Sequence, residues 1–548
     1  MSAAEEFNLA EVFAAVAAAN PDRDAVVFGD RRFTFAETDD RTARLARALH
    51  DWGLGSHRER SELAGHQSGQ SHLALYLTNG NEYLEGMLGA FKSRVAPFNV
   101  NYRYVAEELH YLVDNAAADA VMYHARFAPT LAGVLDRLPP TRLIHVDDDS
   151  GNPPLPGAVR YERLLADTSA EPLPLAPSPD DLYILYTGGT TGLPKGVLWR
   201  QHDIYIGAMG GRAYGSDQRF TDIEQIVTRS RQGGQGSMTV APLMHGAAQW
   251  AAFSTLLRGV PFVMSDITDR FDPADALALA ARERVASLSI VGDAFARPLL
   301  AELETGRYDL SGLQHLVSGG AIFSAGVKAR FLELLPQLTI LDAGGSSESG
   351  AQMGQMSTRA SVGSGRFAPN PGAVVVNAEL TGVLAPGDEE IGWLAQQDPV
   401  PLGYLGDPEK SARTFPTIDG VRYSVPGDRA RWDADGSIEL LGRDSVTINS
   451  GGEKIFAEEV EAALAHHPSV YDVIVVGRPS SRWGSEVVAL IQPAGGAEPD
   501  IDDLLTEAAR HVARYKLPKQ ILFRSSLRRS PSGKADYRWA KAEAADKS

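Results

Sequence analysis

The apolar run Leu182-Tyr-Ile-Leu-Tyr186 leads straight into Tyr186-Thr-Gly-Gly-Thr-Thr-Gly-Leu-Pro-Lys-Gly196. Those eleven residues hold four glycines, three threonines and one lysine. Glycines let backbone N–H groups turn toward a phosphate with no Cβ in the way, threonine hydroxyls add donors, and Lys195 adds charge. This is phosphate-handling chemistry, yet not the common nucleotide loop. That loop needs Gly-Lys-Ser/Thr, and here Gly196 follows Lys195. A glycine- and threonine-rich stretch also serves as a flexible connector, and taken alone this one leaves both readings open.

On either side, short β-branched runs alternate with helical patterns. Ala25–Phe28 and Arg32–Phe35 flank Gly29-Asp30 as a hairpin. A helix is expected near Phe35–Trp52, a strand at Leu73–Leu77, a helix at Glu82–Lys92 and a strand at Ala96–Val100. Further helices near Ala106–Asn115 and Ala128–Leu138 alternate with strands at Ala120–His124 and Arg142–Val146. The pattern resumes with Phe262–Ser265, a helix from Pro273 to Val285, Leu288–Val291, Leu313–Ser318 and Leu338–Leu341. Strands separated by single helices predict mostly parallel sheets covered on both faces. Polar text between Leu54 and His72 reads as a surface loop, and Pro153–Pro179 as a connector. After Gly442 the pattern changes to a compact α+β unit. It has a helix over 456–466, strands at Val470–Val476 and Glu486–Ile491, a helix from Ile501 to about Arg514 and a strand at Gln520–Phe523. The adjacent His466-His467 pair, just past a helix end, is expected to be solvated.

A chain of 548 residues is too long for one core, so two or more domains are expected. A net charge of −18 repels nucleic acid and anionic lipid. No apolar run is long enough to span a bilayer, and Met-Ser-Ala-Ala-Glu-Glu lacks the basic start of a secretion signal. With no cysteine there is no disulfide, thiolate metal site or cysteine nucleophile, which fits a cytoplasmic enzyme. No pair of histidines at zinc-binding spacing occurs.

Five further segments follow in order. They are Pro242-Leu-Met-His245-Gly246, Ser318-Gly-Gly-Ala321 with Gly344-Gly-Ser-Ser-Glu348, Tyr423-Ser-Val-Pro-Gly-Asp428 with Gly442-Arg443, Ser450-Gly-Gly-Glu-Lys454, and Arg529-Ser-Pro-Ser-Gly-Lys534. Alone, each has a plain reading: a structural histidine, a Pro-Gly-Asp turn, a glycine loop, a solvated lysine. Their ordered coincidence with Tyr186–Gly196 resembles the adenylate-forming superfamily of acyl-CoA synthetases, luciferases and peptide-synthetase adenylation domains. Details such as Ser532-Gly-Lys-Ala-Asp-Tyr-Arg-Trp539 look like actinobacterial ligases acting on fatty acids or steroid side-chain acids.

The resemblance implies an α/β fold. Residues 1–442 would form an ATP- and acyl-binding domain of α/β subdomains with mostly parallel sheets and a small barrel-like part. Residues 443–548 would form a mobile α+β domain. It implies ATP, Mg²⁺ and coenzyme A as cofactor and co-substrates, a small-molecule acid as partner, and an acyl-CoA ligase that forms acyl-AMP and then acyl-CoA. Catalytic roles fall to Lys534, Glu348, Thr190 and His245, and magnesium to Glu348 and Thr190. Nucleotide and CoA contacts fall to Thr187, Gly188, Gly189, Thr190, Thr191, Gly192, Lys195, Gly319, Gly320, Ala321, Ser347, Asp428, Arg443, Gly451, Gly452 and Lys454. The sequence departs from the family at Gly344, where an aromatic is usual, at Pro426, and at Val446, which carries no hinge charge. Ala247, Ala248 and Ala251, with no acidic residue beside them, read either as ordinary helix packing or as apolar volume for a medium- or long-chain fatty acid or a bulky sterol-derived acid such as 3-oxocholest-4-en-26-oate. The alternatives are adenylation with transfer to an amine or carrier protein, and a non-catalytic nucleotide-binding paralogue. The sequence leaves oligomeric state open.

Overall fold

A computed structural model describes residues 5–187, 193–212, 217–321, 323–363, 365–450, 453–480, 484–530 and 533–545. Local signals set the first elements. Gly29, at φ +58°, turns Asp24–Phe28 back onto Arg31–Thr34 as an antiparallel pair. Thr34 then caps the helix Phe35–Asp51: its Oγ1 accepts from Glu37 N–H at 3.1 Å, while Glu37 Oε2 accepts from Thr34 N–H at 2.8 Å.

The first sheet runs Gly403–Tyr404, Lys195–Arg200, Leu182–Thr187, Ala96–Asn99, His72–Tyr76, Ala120–His124, Arg142–Val146 and Val159–Arg160. From Leu182–Thr187 to Val159–Arg160 neighbours are parallel, and the two strands at the other edge are antiparallel. Helices on both faces explain why His72–Tyr76 is buried throughout. Leu73 and Leu75 join one core with Leu84 and Met87 of the helix Asn81–Lys92. Ala74 and Tyr76 join the other with Leu109 and Leu112 of the helix Ala106–Asn115. Each such aliphatic burial contributes about 1.5–3 kcal/mol.

The second sheet places Asp24–Phe28, Phe262–Met264, Ser237–Thr239, Ser287–Ile290, His315–Gly319 and Thr339–Ser346 in parallel. It continues antiparallel through Gly350–Ser357, Arg366–Pro369, Ile438–Arg443, Asp428–Trp432 and Gly392–Gln397, an antiparallel unit with its own small cores. The last unit contains, among the described residues, a three-stranded sheet of Val470–Ser480, Gly484–Pro493 and Gln520–Phe523 beside the hairpin Ile448–Ser450 and Glu453–Ile455. One face packs on the helices Ala457–Leu464 and Ile501–Ala508, the other on Tyr537–Ala545.

Four expectations need correction. The helix expected over Ala128–Leu138 stops at Ala132, with Gly133 as its C-cap, and resumes as a 3-10 turn at Leu135–Arg137; Pro129 sits in its first turn, where proline is tolerated. The helix from Ile501 ends at Ala508 rather than near Arg514. The connector Pro153–Pro179 contains the strand Val159–Arg160 and the helix Tyr161–Ala166, whose buried Tyr161 donates to Glu85 at 2.7 Å. Of the histidine pair, His466 stays exposed and stacks on His511, whereas His467 is buried with Nε2 3.1 Å from Asp503. The polar segment 55–71 is a surface loop as expected, but a tied one. Arg94 joins Glu59 to Asp181, and Gly406 N–H donates to His66 O at 2.9 Å. Among the described residues no helix is long and apolar enough to cross a membrane.

Candidate active site

Leu182–Thr187 and Lys195–Arg200 pair antiparallel with Thr187 opposite Lys195, so the chain reverses between them. Gly188, Gly189, Thr190, Thr191 and Gly192 lie outside the described residues. Asn99 pins the loop's entry: its Nδ2 donates to Tyr186 O at 2.8 Å and Met244 O at 2.7 Å, and its Oδ1 accepts from Tyr186 N–H at 2.7 Å. One amide thereby fixes the loop strand against the turn that carries His245.

His245 occupies the N-cap of the helix Gly246–Leu256. Its Nε2 is sealed from solvent and has no hydrogen-bond partner among the described residues. Burial, then the positive charges of Lys534 and Arg103, push its pKa down to about 4, so the imidazole is neutral.

The strand pair Thr339–Ser346 and Gly350–Ser357 presents Ser347 and Glu348 at its turn. Trp199 Nε1 donates to Ser347 O at 2.9 Å, Ser424 Oγ to Glu348 O at 2.6 Å, and Tyr404 OH to Glu348 Oε1 at 2.8 Å. Gly344 lies opposite Met353, and a Cβ there would come 2.6 Å from the Met353 methyl. The thioether occupies the space an aromatic side chain would need, which accounts for glycine at that position. Nearby, His315–Gly319 ends at Gly320 and Ala321, with Gly320 at φ +82°. Ser318 Oγ accepts from Gly292 N–H at 3.0 Å and ties this strand end to its neighbour.

Asp428 and Arg443 face each other across two strands, Nε to Oδ1 at 3.2 Å, and the carboxylate raises the Arg443 pKa further. Beyond Gly442, at φ +125°, a Cβ would lie 2.4 Å from Glu458 Oε2, so no side chain fits at the junction with the last unit. Burial raises the Glu458 pKa to about 7.

Lys534 comes from that last unit. Arg529, held by Asp472 at 2.8 Å, donates to Gly533 O at 2.9 Å and shapes the loop. A Cβ on Gly533 would lie 3.3 Å from Val291 O and 3.4 Å from the Ala294 Cβ, so the loop seats directly on the strand end beside Gly292. The Lys534 side chain retains solvent access along the cleft. Surrounding protein lowers its pKa, Arg443 lowers it further, and Glu348 and Asp428 oppose both. Lys534 therefore shares one electrostatic neighbourhood with His245, Glu348, Asp428 and Arg443. Gly451 and Gly452 lie outside the described residues. The Lys454 backbone pairs with Asn449 in the hairpin Ile448–Ser450 and Glu453–Ile455.

The chain matches the AMP-binding enzyme family over residues 13–399 and the AMP-binding enzyme C-terminal domain over residues 459–534. It belongs to that family. It is 54% identical over 540 residues, 98% of either chain, to the medium-chain acyl-CoA ligase Mig of Mycobacterium avium. It is 38% identical over 531 residues, 95% of this chain and 93% of the relative, to a 3-oxocholest-4-en-26-oate–CoA ligase of Rhodococcus rhodochrous. The solved anthranilate CoA ligase AuaEII, in complex with anthranoyl-AMP, has the same fold, with a TM-score of 0.82 at 20% identity over 98% of either chain.

In this AMP-binding enzyme the sequence motifs missed one group. Tyr404 stands opposite Val197, two residues from Lys195, which pairs with Asp407. That partner holds the Asp407 carboxyl below its usual range. Lys410 lies beside the same ring. The signal was Gly403-Tyr-Leu-Gly-Asp-Pro408, which reads as a turn and helix cap. No three acidic or histidine side chains that could hold a metal by themselves cluster among the described residues. Glu348 nevertheless fits Mg²⁺ arriving with a nucleotide: it makes no ion pair among the described residues, and Tyr404 holds one of its two oxygens. Magnesium in such sites takes one or two carboxylates, phosphates and water.

Proposed function

We propose that this chain is a cytoplasmic, ATP-dependent acyl-CoA ligase. One observation carries the reading: the loop of Lys534 in the C-terminal unit seats on the strand end at Val291 of the large unit, where a Cβ on Gly533 would lie 3.3 Å from Val291 O. This brings the Lys534 ammonium toward Glu348 and Asp428. Residues 1–442 bind ATP and acid, and residues 443–548 form the mobile domain, turning about Arg443–Asp444.

In the first step the acid's carboxylate attacks the α-phosphorus, the bond to the β-phosphate oxygen breaks, and pyrophosphate leaves. Lys534 holds its charge against the carboxylate and α-phosphate oxygens as they close. Loop amides from Thr187 to Gly192 and the ammonium of Lys195 hold the triphosphate, with Thr190 and Glu348 toward the metal. Magnesium held there would supply positive charge against the phosphates. Asp428 accepts the ribose hydroxyls, Arg443 lies beside them, and Ser347 with Gly319-Gly320-Ala321 lines the adenine. His245, held neutral by its burial, adds no positive charge on the acid's side of the site, and the acid attacks as the carboxylate that its own pKa makes it.

In the second step the small domain swings Lys534 away and brings Gly451, Gly452 and Lys454 to the pantetheine arm. The CoA sulfur attacks the acyl carbon, the acyl–phosphate bond breaks, and AMP departs. The substrate is a hydrophobic acid, as the medium-chain and sterol side-chain specificities in the relatives' names indicate; Ala248, packed in the core, does not line its path. CoA-ester formation across acids of graded length, with one sterol side-chain acid included, tests this. We expect acyl-CoA, AMP and pyrophosphate from at least one acid. Adenylate trapped as hydroxamate without any CoA ester would contradict it.

A further inference from the structure

We propose that Lys410 is a second cation for the β- and γ-phosphates of ATP, and hence for pyrophosphate. The proposal rests on the ligase reading above and adds a residue to its polyphosphate end. Lys410 sits on the short helix Pro408–Thr414. Its Nζ lies 4.5 Å from the centre of the Tyr404 ring, and Lys195 Nζ lies 6.0 Å from the same centre. The hydroxyl of that ring holds Glu348. One buried ring thus gathers two ammonium groups and the carboxylate placed for magnesium.

Lys195 is neutralised by Asp407, but Lys410 has no ion pair among the described residues. Burial, and after it the charge of Lys195, lowers the Lys410 pKa, since an ammonium on a half-buried surface beside a like charge is unfavourable. An anion of high charge density between them removes that cost. The electrostatic neighbours separate the two ends of the nucleotide. Lys410 feels Lys195, Glu348, Asp407 and Arg413, whereas Lys534 feels Arg443, Glu348 and Asp428. Glu348 is common to both, so the α-phosphate and ribose fall on the Lys534 side and the outer phosphates on the Lys410 side.

Calorimetric titration of the full-length chain with ATP, pyrophosphate and AMP, each with Mg²⁺, provides the test on wild type, Lys410→Met and Lys410→Arg. One lost charge-assisted contact predicts about 10-fold weaker ATP and pyrophosphate binding in Lys410→Met, with AMP binding within about twofold of wild type. Lys410→Arg, which keeps the charge, should recover most of that loss. Unchanged ATP and pyrophosphate affinity in Lys410→Met overturns the proposal, and so does an equal loss of AMP, which marks Lys410 as structural. A wild-type chain that binds ATP with this Lys410 dependence yet forms no acyl-CoA overturns the ligase reading and leaves Lys410 in place. Full ligase activity without any Lys410 dependence does the reverse.

Discussion

Replacing Tyr404 by phenylalanine deletes one hydroxyl, the donor to Glu348 Oε1 at 2.8 Å. The side chain is 2% exposed. Burial, followed by the Glu348 charge, holds the phenol well above the ordinary tyrosine range, so it remains a donor at any working pH. A hydrogen bond to a charged acceptor contributes about 1.5–3 kcal/mol. Glu348 is only half-buried, so water can take the vacated position and the loss falls at the lower end. At about 1.4 kcal/mol per factor of ten, that is roughly tenfold in rate. The ring itself remains, with its packing against Phe415 at 5.5 Å. The effect should therefore concentrate on magnesium and the adenylation step. ATP–pyrophosphate exchange measured across Mg²⁺ concentrations, beside CoA transfer from preformed acyl-AMP, separates the two. We expect exchange at limiting Mg²⁺ to fall about tenfold while CoA transfer stays within about twofold. An unchanged Mg²⁺ dependence in Tyr404→Phe would refute the link between this hydroxyl and the metal.

Asp428→Asn should raise the KM for ATP by roughly 10- to 100-fold and leave the KM for the acid alone, since it weakens the Arg443 contact and the ribose acceptor together. Steady-state kinetics with each substrate varied reads this directly, and an equal rise for the acid would contradict it. Glu461 is buried between Val475 N–H at 2.8 Å and Tyr537 OH at 3.3 Å, with Glu458 and Arg529 near, and burial raises its pKa from 4.5 to about 8. The folded carboxyl holds its proton more tightly than the unfolded one, so its contribution is full below pH 4.5 and is lost as pH rises through about 8. Glu461→Gln should therefore change thermal stability little near pH 5 and raise it near pH 9, by at most about 5 kcal/mol at about 1.36 kcal/mol per pH unit. Thermal melts showing equal shifts at both pH values would reject that assignment. Gly65→Ala places a Cβ 2.5 Å from Leu402 O and should cost about 1–3 kcal/mol by lifting the polar loop off Gly403–Gly406. An unchanged melting temperature would show that the loop is not seated there.

The parallel strands named from the sequence were legible because buried parallel strands are continuous apolar runs, as at Ala120–His124, where expectation and structure coincide, whereas short Ser237–Thr239 and the antiparallel strands from Gly350 to Arg443 carry no such run and were not read. The Lys534 loop was legible as a motif, but what seats it was not. Arg529 reaches Asp472, 57 positions earlier, and Gly533 reaches Val291 in the other unit. The Tyr404–Asp407–Lys410 group was missed for the same reason. Locally, Asp407 is a helix cap donating nothing but shape. Its chemistry appears once Gly403–Tyr404 docks on Lys195–Arg200 and brings it to a lysine 212 positions away. Helix ends were misjudged where one breaker outweighs a favourable face, as at Gly133.

Two half-reactions compared in one variant bear most directly on the account. In Lys534→Ala, ATP–pyrophosphate exchange should fall by about 10²–10³. CoA transfer from supplied acyl-AMP should persist near the wild-type rate, because Lys534 has left the cleft by then. Exchange at the wild-type rate, or equal loss of both activities, would contradict a single site visited in turn by the two faces of the C-terminal unit.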